Sequence, residues 1–222
     1  MLTLQQTNVI IPDLPKRVAA QLFAASTVRH VKSGQALFSV GERGDGCYRI
    51  EQGVVKICVT SPAGDERILA VVGAGAIVGE LALIDGLPRS ASIFAFRDST
   101  FRFISRKHFN ECKKDHPEFH AYLATILAAR LREADEALAA ATFLPVKGRV
   151  ARAFLNLAKI LGEQAEDGRV LIKGPISQAD LAAMAGVARE NVSRMLSEWG
   201  KRKLITRSSR HYVLNDVEAF QL

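Results

Sequence analysis

The chain has 222 residues, close to half of them apolar, enough for one or two domains with buried cores. No apolar run is long enough for a membrane span, the N-terminus lacks the basic-then-apolar pattern of a secretion signal, and Cys47, Cys58 and Cys112 are too few and too scattered for a disulfide framework or a C-x2-C metal site, so a reducing cytoplasm is expected. The net charge of +7 is uneven: residues 1–143 carry 17 Lys/Arg against 15 Asp/Glu, residues 144–222 carry 13 against 8, which places the basic excess where a nucleic-acid-binding end would sit.

Pro12 to Ala25 reads as a short amphipathic helix with Val18, Leu22 and Phe23 inward. From Val28 the rhythm changes to short β-rich runs: Val28–Val31, Ala36–Val40, Cys47–Ile50, Val54–Val59, Arg67–Val72, Ala91–Ala95 and Thr100–Ile104, punctuated by glycines. Strands at this spacing predict an antiparallel barrel or sandwich, with Pro62-Ala63-Gly64-Asp65 as a hairpin turn. Between two of the strands lies Gly75 to Gly86, with a helical turn from about Glu80 to Ile84, followed by Arg89-Ser90-Ala91. Unpaired N–H groups at a helix start, a close backbone approach at Gly79, the fork of Arg89 and the Ser90 hydroxyl are suited to a phosphate. Glu80 repels a phosphate, but it can accept hydrogen bonds from a sugar hydroxyl of the same ligand. The alternative is an ordinary glycine-rich turn with a surface arginine.

Glu118 to Ala141 has no Gly or Pro and is rich in the strongest helix formers, with Pro117 before it and Pro145 after it. Its seam, His120, Ala124, Leu127, Leu131, Ala134, Leu138 and Ala141, steps four and three alternately, and Arg130, Arg132, Glu133, Asp135 and Glu136 sit off it. So narrow a stripe, with small Ala alternating with Leu, predicts a connecting helix that pairs with its own copy. The alternative is a helix packed on its own domain.

Thr142-Phe143-Leu144-Pro145 reads as a hinge. Val146–Leu161 is a second amphipathic helix with Gly162 as its stop signal, Gly162–Gly168 an acidic loop and Val170–Ile172 a short strand. Ser177 is a good N-cap for a helix to Met184, with Gln178 in its first turn, and Ala185-Gly186-Val187 turns the chain into a second helix, Ala188–Lys201. This is a helix-turn-helix, with Val192, Met195, Leu196 and Trp199 inward and Arg189, Glu190, Ser193 and Arg194 outward. Arginine suits guanine O6/N7 and glutamate accepts from cytosine N4. Leu204–Thr206 and Tyr212–Leu214 flank a basic wing tip with Arg207 and Arg210. The alternative is a helical hairpin with a solvated face. Nowhere does the sequence pair a nucleophile with a base or set out catalytic carboxylates, so an enzyme is not expected.

The runs Gly34-x2-Leu37-Phe38-x2-Gly41, Tyr48-x-Ile50-x2-Gly53-x-Val55, Gly75-x3-Gly79-Glu80-Leu81-Ala82-Leu83 and Arg89-Ser90-Ala91 resemble the cyclic-nucleotide-binding domain of the CRP/FNR regulators over most of residues 28–105. Arg189-Glu190-x-Val192-x-Arg194 resembles their recognition helix, within a similarity covering residues 143–214. The resemblance implies an α+β fold: an N-terminal cyclic-nucleotide-binding-like β-roll (1–115), a long dimerisation helix (116–143) and a C-terminal winged helix-turn-helix (144–222). It implies Glu80 at the ribose 2′-hydroxyl, and Arg89, Ser90 and the backbone of Gly79, Glu80, Leu81 and Ala82 at the cyclic phosphate. In the cyclic-AMP receptor branch the recognition helix reads half-sites near TGTGA. That branch has Ser where this chain has Ala188, and adjacent Thr and Ser contacting adenine where this chain has Ala134 and Asp135. A carboxylate there matches the adjacent N1–H and 2-amino donors of guanine better than adenine, unless Asp135 simply faces solvent. The expected effector is therefore cyclic AMP or cyclic GMP, with no resident cofactor or metal. The expected partners are a palindromic double-stranded operator, a second copy of the chain and RNA polymerase, with no membrane. A regulator without a nucleotide, controlled through redox chemistry or haem, and a nucleotide-binding module without DNA are the alternatives.

Overall fold

The computed structural model describes residues 14, 16–208 and 211–220. In chain order the elements are α1 (Lys16–Phe23), β1 (Thr27–Val31), β2 (Ala36–Phe38), β3 (Gly46–Gln52), β4 (Val54–Thr60), β5 (Glu66–Gly73), β6 (Ile77–Val78), α2 (Leu81–Ile84), β7 (Ser92–Ala95), β8 (Ser99–Ser105), α3 (Arg106–Asp115) and α4 (Pro117–Phe143). Then come α5 (Val146–Leu161), β9 (Gly162–Gln164), β10 (Val170–Ile172), α6 (Gln178–Ala185), α7 (Arg189–Lys201), β11 (Ile205–Ser208), β12 (His211–Leu214) and a 3-10 turn, Glu218–Phe220. The start of the lead-in expected from Pro12 lies outside the described residues. The strands form four-stranded sheets in the orders β1-β8-β3-β6, β2-β7-β4-β5 and β11-β12-β10-β9. The architecture is an N-terminal β-roll, a long helix and a C-terminal helix-turn-helix domain.

By contacts the chain falls into two units: residues up to Val55 with Gly73–Ala137, and Lys56–Val72 with the residues from Leu138 onward. In the first, β8 is the central strand, antiparallel to both β1 and β3 with Phe101 opposite Arg29 and Ile50. Cys47, Ile50, Phe101 and Ile104 are all but fully buried between these strands and the helices. Val18 and Leu22 of α1, Phe109 and Cys112 of α3, and Phe119, Tyr122, Leu123 and Ile126 of α4 close the core over Cys47, Ile77 and Ile104. At about 25 cal/mol per Å2 of apolar surface, a buried Phe or Leu contributes roughly 1.5–3 kcal/mol. In the second unit Phe154, Trp199, Tyr212 and Phe220 pack ring against ring with centroids 4.9–6.3 Å apart, edge to face except for the tilted Phe154–Phe220 pair.

The structure departs from the expectations in several places, among them the two-residue strand β6 within the Gly75–Gly86 connection. Helix α3 was not expected, because RKHFNECKKD is mostly charged and shows only Phe109 and Cys112, four and seven residues into a helix capped by Ser105 on His108 N. Part of the acidic loop is strand β9, paired with β10 through Gly162↔Ile172 and Gln164↔Val170. Gly162 does end α5, but in extended rather than left-handed backbone (φ −79°). The glycine is needed for room, since a Cβ there would lie 2.1 Å from Ala158 O. The strand expected over Ala36–Val40 stops at Phe38, where Val40 N instead donates to Ser92 Oγ.

Candidate functional site

The segment from β6 to β7 contributes two buried charges, Glu80 and Arg89. Glu80, at the N-cap of α2, is fully buried. Its carboxylate pairs with the Arg130 guanidinium of α4 at 3.2 Å, and Arg130 also donates to Ile77 O at 2.9 Å. Burial pushes the Glu80 carboxyl up, while Arg130, its own backbone and Arg89 pull it back toward the charged form. Among the described residues, one carboxylate oxygen, Oε1, has only the ion pair and lacks a well-directed hydrogen bond. An acceptor held in the dark this way is short of a donor, which a ligand hydroxyl would supply.

Arg89 is only 4% exposed. Its Nη1 donates to Gly79 O at 2.6 Å and its Nη2 to Gly46 O at 2.7 Å, with Asp45 Oδ1 at 3.3 Å. The guanidinium lies over the Phe38 ring, 4.1 Å from its centroid, a cation–π contact. Gly79 sits at φ +79°, where a Cβ would come within 2.5 Å of Arg89 Nη1. The close approach inferred for Gly79 is thus already made by the arginine. Arg106 Nη2 bridges Gly44 O and Ala82 O at 2.7 and 2.9 Å, tying α2 to the loop before β3.

Of the residues named from sequence, Gly79, Glu80, Leu81, Ala82 and Arg89 come together here, while Ser90, Ala134 and Asp135 are exposed. Arg130 was missed. It sits off the heptad seam and reads as a surface charge, and its partner Glu80 lies 50 residues away in the chain.

In the C-terminal unit Ser177 Oγ accepts from Asp180 N, and Asp180 Oδ2 accepts from Ser177 N, a complete capping box on α6. Gly186 turns the chain at φ +61° and closes α6. On α7, Val192 and Trp199 are buried, whereas Arg189, Glu190, Ser193 and Arg194 are exposed. Arg194 donates to Asn191 Oδ1 one turn back. Arg207 is exposed on β11, with its guanidinium 5.7 Å from the Tyr212 ring. Ser177 is exposed and Gln178 half-buried at the start of α6; Arg210 lies outside the described residues. The result is an open, charged helix face between a capped helix and a basic wing, the shape that enters a major groove.

Residues 28–116 match the model of the cyclic nucleotide-binding domain, and residues 148–221 that of the Crp-like helix-turn-helix domain. A CRP-like cAMP-activated global transcriptional regulator of Mycobacterium tuberculosis is 32% identical over 185 residues, 83% of this chain and 82% of that one. The cyclic AMP receptor protein of Thermus thermophilus is 36% identical over 166 residues, 73% and 72% of the two chains. Among solved structures, the c-di-GMP responsive global regulator CLP of Xanthomonas campestris superposes with a TM-score of 0.80 at 21% identity, covering 91% of this chain and all of that one. A CRP/FNR-family transcriptional regulator of Thermus thermophilus does so at 0.73 and 25%, covering 87% and 96%.

Proposed function

This chain belongs to the CRP/FNR family of transcriptional regulators, and from that premise we propose that it acts as a homodimer whose grip on a palindromic operator is set by a cyclic nucleotide in the β-roll. That it is a DNA-binding transcriptional regulator follows from the family; the effector, the operator and the dimer are our reading. The observation that carries the effector is the buried Glu80, short of one donor, beside Arg130 and Arg89. In this reading Glu80 takes the ribose hydroxyl. Arg89, Ser90 and the Gly79–Ala82 backbone take the phosphate, and Ala134 and Asp135 lie at the base. Because Arg130 belongs to α4, a ligand that rearranges the Glu80–Arg130 pair acts directly on the helix that carries the dimer seam.

On DNA, Arg189, Glu190, Ser193 and Arg194 read base edges, while Ser177, Gln178, Arg207 and Arg210 hold phosphates. The half-sites resemble TGTGA and lie about one helical turn apart, as two recognition helices related by a two-fold axis require. The protein works in the cytoplasm, and RNA polymerase is its further partner at promoters. The thiol-redox alternative is disfavoured by the cysteines. All three are buried, and burial pushes Cys58 up to about 12 and Cys112 up to about 11, which makes them poor nucleophiles.

Two measurements test the reading. Calorimetric titration should show binding of cyclic AMP or cyclic GMP, and selection from random duplexes in the presence of the bound nucleotide should return a two-fold site. Glu190→Ala should relax the choice at one base pair of each half-site, by about 1–3 kcal/mol against the preferred base. Failure to recover any two-fold site would overturn the operator assignment, and silence with both nucleotides would overturn the effector.

A further inference from the structure

The arginine on which the phosphate site depends already has an anion beside it. Asp45 Oδ1 stands 3.3 Å from Arg89 Nη2, and the remaining ties of that guanidinium are the carbonyls of Gly46 and Gly79 and the face of Phe38. Resting on the cyclic-nucleotide reading above, we propose that Asp45 is an internal competitor for the effector's phosphate: it holds Arg89 in a closed arrangement and so sets how tightly the pocket takes a nucleotide.

A phosphate is held best by two parallel N–H bonds from one guanidinium face. Here both terminal nitrogens are engaged, and the buried Nε has no acceptor among the described residues. To form a fork the phosphate must take a bond that is already made. The Gly46 carbonyl cannot yield readily, because its residue is wedged in the strand: a Cβ there would lie 2.3 Å from the Phe103 ring and 2.4 Å from Ile104 O. Asp45 can yield, since its side chain is 71% exposed and can swing into solvent. Its backbone stays in place, because Arg106 N donates to Asp45 O at 2.9 Å and Arg106 Nη2 to Gly44 O at 2.7 Å. The carboxylate is thus tethered next to Arg89 yet free to leave it. It faces a cleft of about 350 Å3 whose other charged walls are Arg29, Glu42, Arg43 and Arg89. Glu42 serves as an internal control, because it lines the same cleft and is held by Ser39 N rather than by Arg89.

The test is calorimetric titration of the full chain and of Asp45→Asn, Asp45→Glu and Glu42→Gln with cyclic AMP and with cyclic GMP, each at low and at raised salt. An exposed carboxylate on a buried cation is a modest competitor, so Asp45→Asn should bind about threefold to fivefold more tightly than wild type. Asp45→Glu should restore the wild-type affinity, and Glu42→Gln should leave it within about twofold. The gain of Asp45→Asn should shrink as salt rises, which loss of a merely structural contact would not produce. If wild type binds nucleotide and Asp45→Asn binds it no more tightly, or if Glu42→Gln gains as much, the competitor role is wrong while the effector reading stands. If none of the four proteins binds either nucleotide, the effector reading falls and takes this inference with it.

Discussion

Leucine at position 89 would strip the buried carbonyl of Gly46 and the half-buried carbonyl of Gly79 of the donors they now have, 2.7 and 2.6 Å away. An orphaned buried acceptor costs about 1–3 kcal/mol, so Arg89→Leu is expected to lower stability as well as to abolish nucleotide binding. Urea unfolding beside a cyclic-nucleotide titration checks both. A variant with an unchanged midpoint and unchanged binding would show that Arg89 is neither structural nor part of the pocket. The setting of Arg89 was half legible in the sequence. An arginine behind a glycine-rich turn suggests an anion, but that its donors also close the chain on itself depends on Gly46 and Gly79 being brought to it by β3 and β6. Glu80 is similar: its burial and its partner Arg130, 50 residues away, come from the packing of α4.

At the level of the element, α6 and α7 begin in contrasting ways. α6 has the full Ser177–Asp180 capping box, and α7 begins at Ala188, whose side chain cannot cap. Ala188 has extended backbone at φ −65° and ψ 147°, the conformation a capping serine needs. Ala188→Ser is therefore expected to stabilise the C-terminal domain by about 1 kcal/mol, seen as a higher urea midpoint with unchanged slope. Asn191 N already donates to Ala188 O at 3.0 Å, so an unchanged or lower midpoint would mean that the N–H of Glu190 needs no cap either. The ends of α6 and α7 were readable because caps and turn glycines are local chemistry. α3 was not, because its two apolar side chains acquire meaning only when α1 and α4 pack over them.

At the scale of the molecule, α4 has two faces with different fates. Phe119, Tyr122, Leu123, Ile126 and Ala129 are buried in the chain itself. Leu131 and Leu138 are 64% and 68% exposed, and Ala124, Ala134 and Ala141 of the same seam are also exposed. A large apolar side chain repeated every heptad and left in solvent by its own chain is what a paired helix presents. Leu138→Glu should therefore yield a monomer at concentrations where wild type sediments as a dimer, with its thermal unfolding shifted only by loss of the partner. It should also bind a single half-site no worse than wild-type protein does. A variant that still sediments as a dimer would place the contact elsewhere.

The amino-acid order by itself determined the succession of short strands, the long helix with its seven-residue rhythm, the capped helix and glycine turn of the helix-turn-helix, and the basic bias of the C-terminal third. Each of these is written in neighbours a few residues apart, where backbone propensity, capping and periodicity act. Tertiary structure alone decided that Arg130 would face Glu80, that Arg89 would be held by Asp45, Gly46 and Gly79, and that Asp135 would be exposed. Apart from Arg89–Gly79, ten positions apart, those pairings join residues 43 to 50 positions apart, or depend on which face of α4 the roll covers. The physical reason is that a charge becomes a site only when burial removes its water. Burial is a property of what the rest of the chain places around it.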